Sequence, residues 1–304
     1  SSSAYELKHN YDSTNFFDPE NFQFYGGWDK FTQGFANYVH ADEAMGLGMA
    51  NVTNGKVRLG VDADNALEGF ATAEGSGRKS VRLEGMDELD NGLIVADLEH
   101  LPAGGCGQWP AFWLVHEGRD LYSEIDIIEG VSHLQHNSLT IWTKPEVCIM
   151  KDVGGTGKTR NLDCAWGPGS PGCGVDAQVG SFGESFNKNG GGIWATQLES
   201  DGIKVWFFPR GSEPADYLSG KPDPSTWGPP VMNFAPDNCD MKMFRKMKIV
   251  INVSFCGAFA GGDAWSGYTQ CATTTGVDTC QQYVATHPGA FKDVYFEFNS
   301  IKIF

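Results

Sequence analysis

No stretch of this 304-residue chain comes near the run of about 18 consecutive apolar residues that a membrane-spanning helix needs. Positive charge is scarce as well: 22 Lys and Arg stand against 38 Asp and Glu, a formal net charge of −16. A chain so negative lacks the cationic footprint that phosphate recognition requires. That excludes general nucleic-acid binding and argues against docking on an anionic membrane. Also missing are a long amphipathic helical pattern, a Cys-x-x-Cys pair, a Gly-x-Ser-x-Gly elbow, a phosphate-binding loop and a dinucleotide fingerprint. Zinc-ribbon, serine-hydrolase and nucleotide-dependent chemistries therefore have no support. His133 and His136 lie three apart, but no helix presents them together, so no metal site is expected. No cofactor is expected either.

What the chain does have is a core. Apolar residues make up 41 % and charged residues only 20 %, which rules out disorder of the whole chain. Aromatics reach 12 %, glycines number 39, and period-two alternation recurs, as in Val57, Leu59 and Val61 or Val81 and Leu83. This combination predicts an all-β protein. Further strands are expected at 92–98, 109–115, 123–129, 137–143, 193–199, 203–208, 247–255 and 293–304. Many strands between glycine-rich turns mean a sandwich or barrel. No linker divides the chain, so residues 1–304 read as a single domain, expected to be a monomer. The stretch 144–192, rich in Gly and poor in alternation, reads as a long functional loop.

The eight cysteines are even in number and suit disulfides formed in an oxidising compartment. Eight cysteines allow 105 pairings; Cys164 with Cys173 and Cys271 with Cys280 are the nearest local pairs. Sequons at Asn51 and Asn252 would suit secretion, although Asn252 sits in an apolar run where a glycan could not be attached easily. The opening Ser-Ser-Ser-Ala-Tyr reads as a mature N-terminus, and an extracellular protein is expected.

Residues 123–130 read Ser-Glu-Ile-Asp-Ile-Ile-Glu-Gly. In a regular strand Glu124 and Asp126 share one face, while Glu129 falls among isoleucines on the other. Burying that charge would be costly. One extra residue in a β-bulge near Ile127–Ile128 turns Glu129 onto the face of Glu124 and Asp126. Three crowded carboxylates raise at least one proton affinity, leaving an acid protonated beside an ionised neighbour. That pair is what glycoside hydrolysis needs, and carboxyls roughly 5–5.5 Å apart favour the retaining route. Gly107-Gln-Trp-Pro-Ala-Phe-Trp113 precedes this strand, and tryptophan faces are platforms for sugar rings.

Glu124-Ile-Asp-Ile-Ile-Glu129 resembles the motif of glycoside hydrolase family 16 in its laminarinase-type form, and Gly107–Trp113 resembles the neighbouring strand of that family. Similarity to secreted fungal members continues through 34–38, 77–82, 186–192, 204–210 and 252–257, nearly the whole chain. The resemblance implies a β-jelly-roll sandwich of two antiparallel sheets with a concave substrate cleft. It implies Glu124 as nucleophile, Glu129 as general acid/base, and Asp126 as support for the nucleophile. It also maps Asn37, Arg78, Trp109, Trp113, Trp142 and Phe259 to the substrate-binding cleft or its support. Some bacterial family members bind a structural calcium through an acid near the C-terminus; the tail here offers Asn299, so calcium is not expected.

The chain departs from the family pattern in the sugar-contacting shell. Trp142 stands where relatives commonly have His, Phe259 where they tend to have Trp, and the loop before the acidic strand reads Arg119-Asp-Leu-Tyr122 without a Trp. Lys144, Lys151, Lys158 and Arg160, with Arg78, Lys79 and Arg82, form a local basic cluster. The leading expectation is a secreted retaining endo-β-glycosidase acting on β-1,3- or mixed β-1,3/1,4-glucan. The alternatives are the same mechanism on an anionic hyaluronan- or chondroitin-like polymer or a galactan, transglycosylation of cell-wall glucan, and a non-catalytic carbohydrate-binding module.

Overall fold

The structure, a computed structural model, describes residues 4–304. Two large antiparallel sheets stack as a β-jelly-roll sandwich. The convex sheet has nine strands. Eight run in the order Ile149–Asp152, Met232–Asn238, Gly202–Pro209, Gly192–Glu199, Gly92–His100, Tyr295–Ile303, Lys56–Gly60 and Ala50–Thr53, and His9–Tyr11 also pairs with Tyr295–Ile303. The concave sheet has eight, in the order Lys158–Asn161, Cys173–Val179, His136–Lys144, Tyr122–Glu129, Gln108–Glu117, Lys248–Phe255, Arg82–Gly85 and Phe22–Phe24. A small three-stranded sheet, Gly27–Trp28, Ala36–Tyr38 and Arg78–Ser80, sits beside them.

The alternation of each strand decides which residues meet between the sheets. Phe112, Leu114, Ile125, Leu139 and Ile141 point inward from the concave sheet and are fully buried. They meet Trp194, Phe296 and Phe298 from the other, with the rings of Phe112 and Phe298 6.0 Å apart. Residues 92–96 read as an unbroken apolar run because both faces of that strand are covered. On the outer face Leu93 and Val95 pack with Ile193, Trp206, Tyr217 and Phe304.

Every expected strand is present. The stretch 144–192 differs from expectation: it holds three strands, Ile149–Asp152, Lys158–Asn161 and Cys173–Val179, and a helix, Gly183–Lys188. The disulfides are Cys106–Cys271, Cys148–Cys239, Cys164–Cys173 and Cys256–Cys280. The Cys164–Cys173 pair is as expected; the Cys271–Cys280 pair is not formed. Those two cysteines begin separate short helices, Cys271–Thr275 and Cys280–Thr286, and each helix is tied to its own anchor near the concave sheet. Asn252 is buried at the floor of the concave face and hydrogen-bonded at both ends, so its side-chain amide is not free to carry a glycan.

Candidate active site

The concave sheet forms a groove of about 700 Å³, and Glu124, Asp126 and Glu129 all open into it. The strand Tyr122–Glu129 reaches this arrangement through an irregularity at Ile127. Its pairing with Gln108–Glu117 passes from Asp126 opposite Trp113 to Ile128 opposite Phe112, leaving Ile127 without a partner. Ile127 and Ile128 are therefore both buried, and the face of the strand shifts by one residue. The bulge falls where the cost of burying Glu129 requires it.

Asn137 holds the bulge in place. Its side-chain oxygen accepts from the backbone N–H of Glu129 at 2.8 Å, and its amide donates to the carbonyl of Ile127 at 2.8 Å. The residue is fully buried. Replacing it with Ala would leave two main-chain groups without partners, each worth about 1–3 kcal/mol. N137A is expected to lose roughly 2–4 kcal/mol of stability in urea denaturation, and more catalytic activity than a remote variant of equal stability, because Glu129 loses its anchor. A variant as stable as wild type would rule out this role for Asn137.

The three acids are tuned apart. Burial raises the proton affinity of Glu129, Trp109 Nε1 moderates the rise by donating to Oε1 at 2.8 Å, and the charge of Glu124 adds to it, so that its pKa is pushed up to about 7. Asp126 is raised well above the usual carboxylate range by burial and by the charges of Glu124 and Glu129. It therefore keeps its proton and donates to Glu124. Burial pushes Glu124 up too, but hydrogen bonds from Tyr122 and Asp126 and the charge of Arg82 pull it back. All three acids thus sit above their ordinary range, Asp126 well above it and Glu129 at about 7, while Tyr122, Asp126 and Arg82 limit the rise at Glu124.

Aromatic rings form the walls. Trp109 meets Phe259 edge to face with ring centres 5.5 Å apart. Gly257 makes this contact possible: it has φ +60°, and a β-carbon there would stand 2.7 Å from the carbonyl oxygen of Thr32. Trp113 is oriented by its Nε1–H, which donates to Asn252 Oδ1 at 2.8 Å. Asn252 in turn donates to the Tyr38 hydroxyl. Trp142 lies directly across the strand pair from Glu124. The Cys164–Cys173 loop packs against Trp142 at Gly172, where a β-carbon would come within 2.8 Å of the indole. That loop also carries Trp166, which is exposed and lies beneath the Lys144 ammonium at 3.5 Å.

Trp109, Trp113, Trp142 and Phe259 thus line the groove with the three acids. Arg78 does not. It is fully buried, and its guanidinium donates to the carbonyls of Val284, Asp62 and Asn65, tying the helix Cys280–Thr286 to the loop around Asp62. Asn37 lies in the small sheet, paired with Trp28 and Lys79, and is not part of the groove lining. Of the basic cluster, Arg82, Lys144 and Arg160 reach the groove, while Lys79 is engaged with Glu43 at 2.7 Å.

The sequence reading missed Asn137, for which period and composition give no signal, and Tyr122. The latter was accessible: Tyr122 lies two residues before Glu124 and so shares its face of the strand.

Crowded carboxyl groups of unequal proton affinity beneath tryptophan walls, on the concave face of a β-sandwich, are an arrangement capable of acid–base chemistry on a glycosidic bond. The family model described as "XgeA-like, catalytic GH16 domain" matches residues 22–304. The endo-1,3(4)-beta-glucanase xgeA of Emericella nidulans is 37 % identical over 99 % of this chain and 47 % of its own length. The endo-1,3(4)-beta-glucanase of Arthroderma benhamiae is 38 % identical over 100 % of this chain and 65 % of its own length. The chain thus spans about half the length of most of these relatives. Among solved structures, an elongating GH family 16 beta-1,3-glucosyltransferase is 40 % identical with a TM-score of 0.88, covering 98 % of this chain and 99 % of the other. Laminarinase 16A from Phanerochaete chrysosporium, solved with beta-glucans in donor and acceptor sites, is 32 % identical with a TM-score of 0.86, covering 99 % of each chain. The chain belongs to glycoside hydrolase family 16.

Proposed function

We propose that this chain is one catalytic unit, a secreted monomeric endo-β-glucanase that cleaves β-1,3- or mixed β-1,3/1,4-glucan with retention of configuration. The observation that carries the reading is the division of proton affinities among three acids on one groove face. Glu129, protonated below about 7, donates to the leaving glycosidic oxygen while ionised Glu124 attacks the anomeric carbon. Water then displaces Glu124 and gives its proton to Glu129, now the base. Protonated Asp126 supports the nucleophile's charge by hydrogen bonding to it. Sugar rings would stack on Trp109, Trp113 and Trp142 and contact Phe259. Four disulfides support an extracellular setting.

The charge of the groove supports a neutral polymer over an anionic one. With Asp126 and Glu129 holding protons, Asp29, Glu117 and Glu124 offset Arg82, Lys144 and Arg160 in the lining, so the groove carries no surplus of positive charge. Two of those cations are already engaged, Arg82 with Glu84 at 2.9 Å and Arg160 with Asp176 at 3.4 Å. Three crowded carboxylates, which mere binding does not need, speak against a lectin-like module.

A second reading, transfer of the glycosyl group to another sugar, is favoured by the likeness to the family 16 glucosyltransferase. One experiment tests both. The protein is incubated with laminarin, barley mixed-linkage glucan, defined laminari-oligosaccharides and hyaluronan, and reducing ends and product lengths are followed. Reducing ends from the neutral glucans, with the β-anomer formed first by NMR, are expected. Oligosaccharides longer than the starting one would establish transfer. No reducing ends and no longer products from either glucan would overturn the proposal.

A further inference from the structure

We infer that Tyr122 is a positioning residue for the nucleophile: its phenol holds a carboxylate oxygen of Glu124 and hastens release of the sugar from the covalent intermediate. The inference deepens the retaining mechanism proposed above and rests on it. Tyr122 and Glu124 are alternate residues of one strand, so both face the groove, and the tyrosine hydroxyl donates to Glu124 Oε2. The ring is held in place across the strand pairs, with Glu117 opposite on one side and Lys144 opposite on the other. The Lys144 ammonium stands 5.7 Å from the ring centre.

Burial and the adjacent Glu124 hold the phenol far above its ordinary range, so it stays a donor throughout the working pH range. The other titratable and charged groups that share the groove with the Glu124 carboxyl are Asp126 on its own strand, Glu129 beyond the bulge, Glu117 and Lys144 from the flanking strands, Asp29, and Arg82 and Arg160 from strands farther out in the sheet. Of these, only Asp126 joins Tyr122 in hydrogen bonding to Glu124.

A donor on this carboxylate acts differently on the two chemical steps. In the first, Glu124 gives an electron pair to the anomeric carbon and its negative charge disappears. In the second, the bond from that carbon to Glu124 breaks, and the electron pair and charge return to the carboxylate. The oxygen of water, or of a sugar hydroxyl, bonds to the carbon in its place and yields its proton to Glu129. A hydrogen bond to a charged acceptor is stronger than one to an ester oxygen. Tyr122 therefore restrains attack modestly and assists departure.

Tyr122→Phe removes one oxygen from a ring whose packing is otherwise kept. With an aryl β-oligoglucoside carrying a good leaving group, departure from Glu124 limits turnover. Y122F is expected to lower kcat on it by about tenfold to a hundredfold, to lower KM as the intermediate accumulates, and to show a pre-steady-state burst of the aryl alcohol. On laminarin, where attack limits, kcat should change much less. The acid limb of kcat/KM should move to higher pH, since Glu124 has lost a donor that favours its ionised form.

Unchanged kcat with a raised KM would make Tyr122 a sugar contact and overturn the inference, as would an unmoved acid limb. A readout independent of turnover separates this failure from failure of the functional proposal. The ionisation of Glu124, followed by side-chain ¹³C NMR, should shift upward in Y122F whether or not any glucan is cleaved. An unshifted titration refutes the inference even in an active enzyme.

Discussion

Removing the carboxylate of Glu124 will lower kcat on laminarin by at least about 10⁴-fold, while glycan binding measured by calorimetry persists. The loss is large because no other group can replace Glu124 in direct attack. Asp126, its nearest neighbour on the groove face, retains its proton through burial and through the charge of Glu124. E124Q preserves the shape and the hydrogen bond from Tyr122 but cannot form the ester. E124A opens space for a small nucleophile. Sodium azide added to E124A with an activated aryl glycoside should attack from the side Glu124 occupied and give the α-glycosyl azide, with partial recovery of rate. A β-azide from this variant, or substantial activity without azide, would place the nucleophile elsewhere.

The carboxylates were legible in the sequence because a physical conflict exposed them. Strict alternation would have driven Glu129 into a layer of isoleucines, and a single extra residue was the least costly escape. The strands were legible for the related reason that one face of nearly every one is buried. Where that condition weakens, legibility fails. Lys158–Asn161 is an edge strand with no buried residue, and Cys173–Val179 ends in exposed Gln178 and Val179, so neither alternates visibly. Gly174 belongs to that strand only because a neighbour approaches closely; a β-carbon there would stand 2.1 Å from the carbonyl oxygen of Leu139. Such a glycine reads as a loop residue until its partner is known.

Arg78 shows the same limit from the other side. The family resemblance mapped it to the cleft or its support, yet its donors are consumed by carbonyls contributed by residues up to 207 positions away. Cys271 and Cys280 are close in sequence, but their helices are anchored separately to Cys106 and Cys256. Long-range pairing of that kind leaves no local trace.

The second large effect belongs to Glu129, and it has two consequences that must appear together. As general acid it is expected to contribute about 10²–10⁴ in kcat on glucans, whose leaving oxygens need a proton, and far less in the first step with an aryl leaving group that needs none. E129A should therefore spare that first step and be rescued by azide with formation of the β-glycosyl azide, the opposite anomer from E124A. The pH profile of the wild-type enzyme should fall off above about 7, where Glu129 gives up its proton. The second consequence concerns stability. Glu129 binds its proton more tightly in the fold than in the unfolded chain, where it titrates near its ordinary 4.5. Its contribution is fully present below that value and is lost as pH rises through about 7. Glutamine keeps the acceptor for Trp109 and carries no charge at any pH. E129Q should accordingly match wild type near pH 4 and be more stable by about 2 kcal/mol near pH 8, the half-buried position reducing the full linkage value. Thermal unfolding across this range decides the point: a stability difference that does not grow with pH would mean Glu129 is not held protonated by its surroundings, and the division of roles between the two glutamates would have to be abandoned.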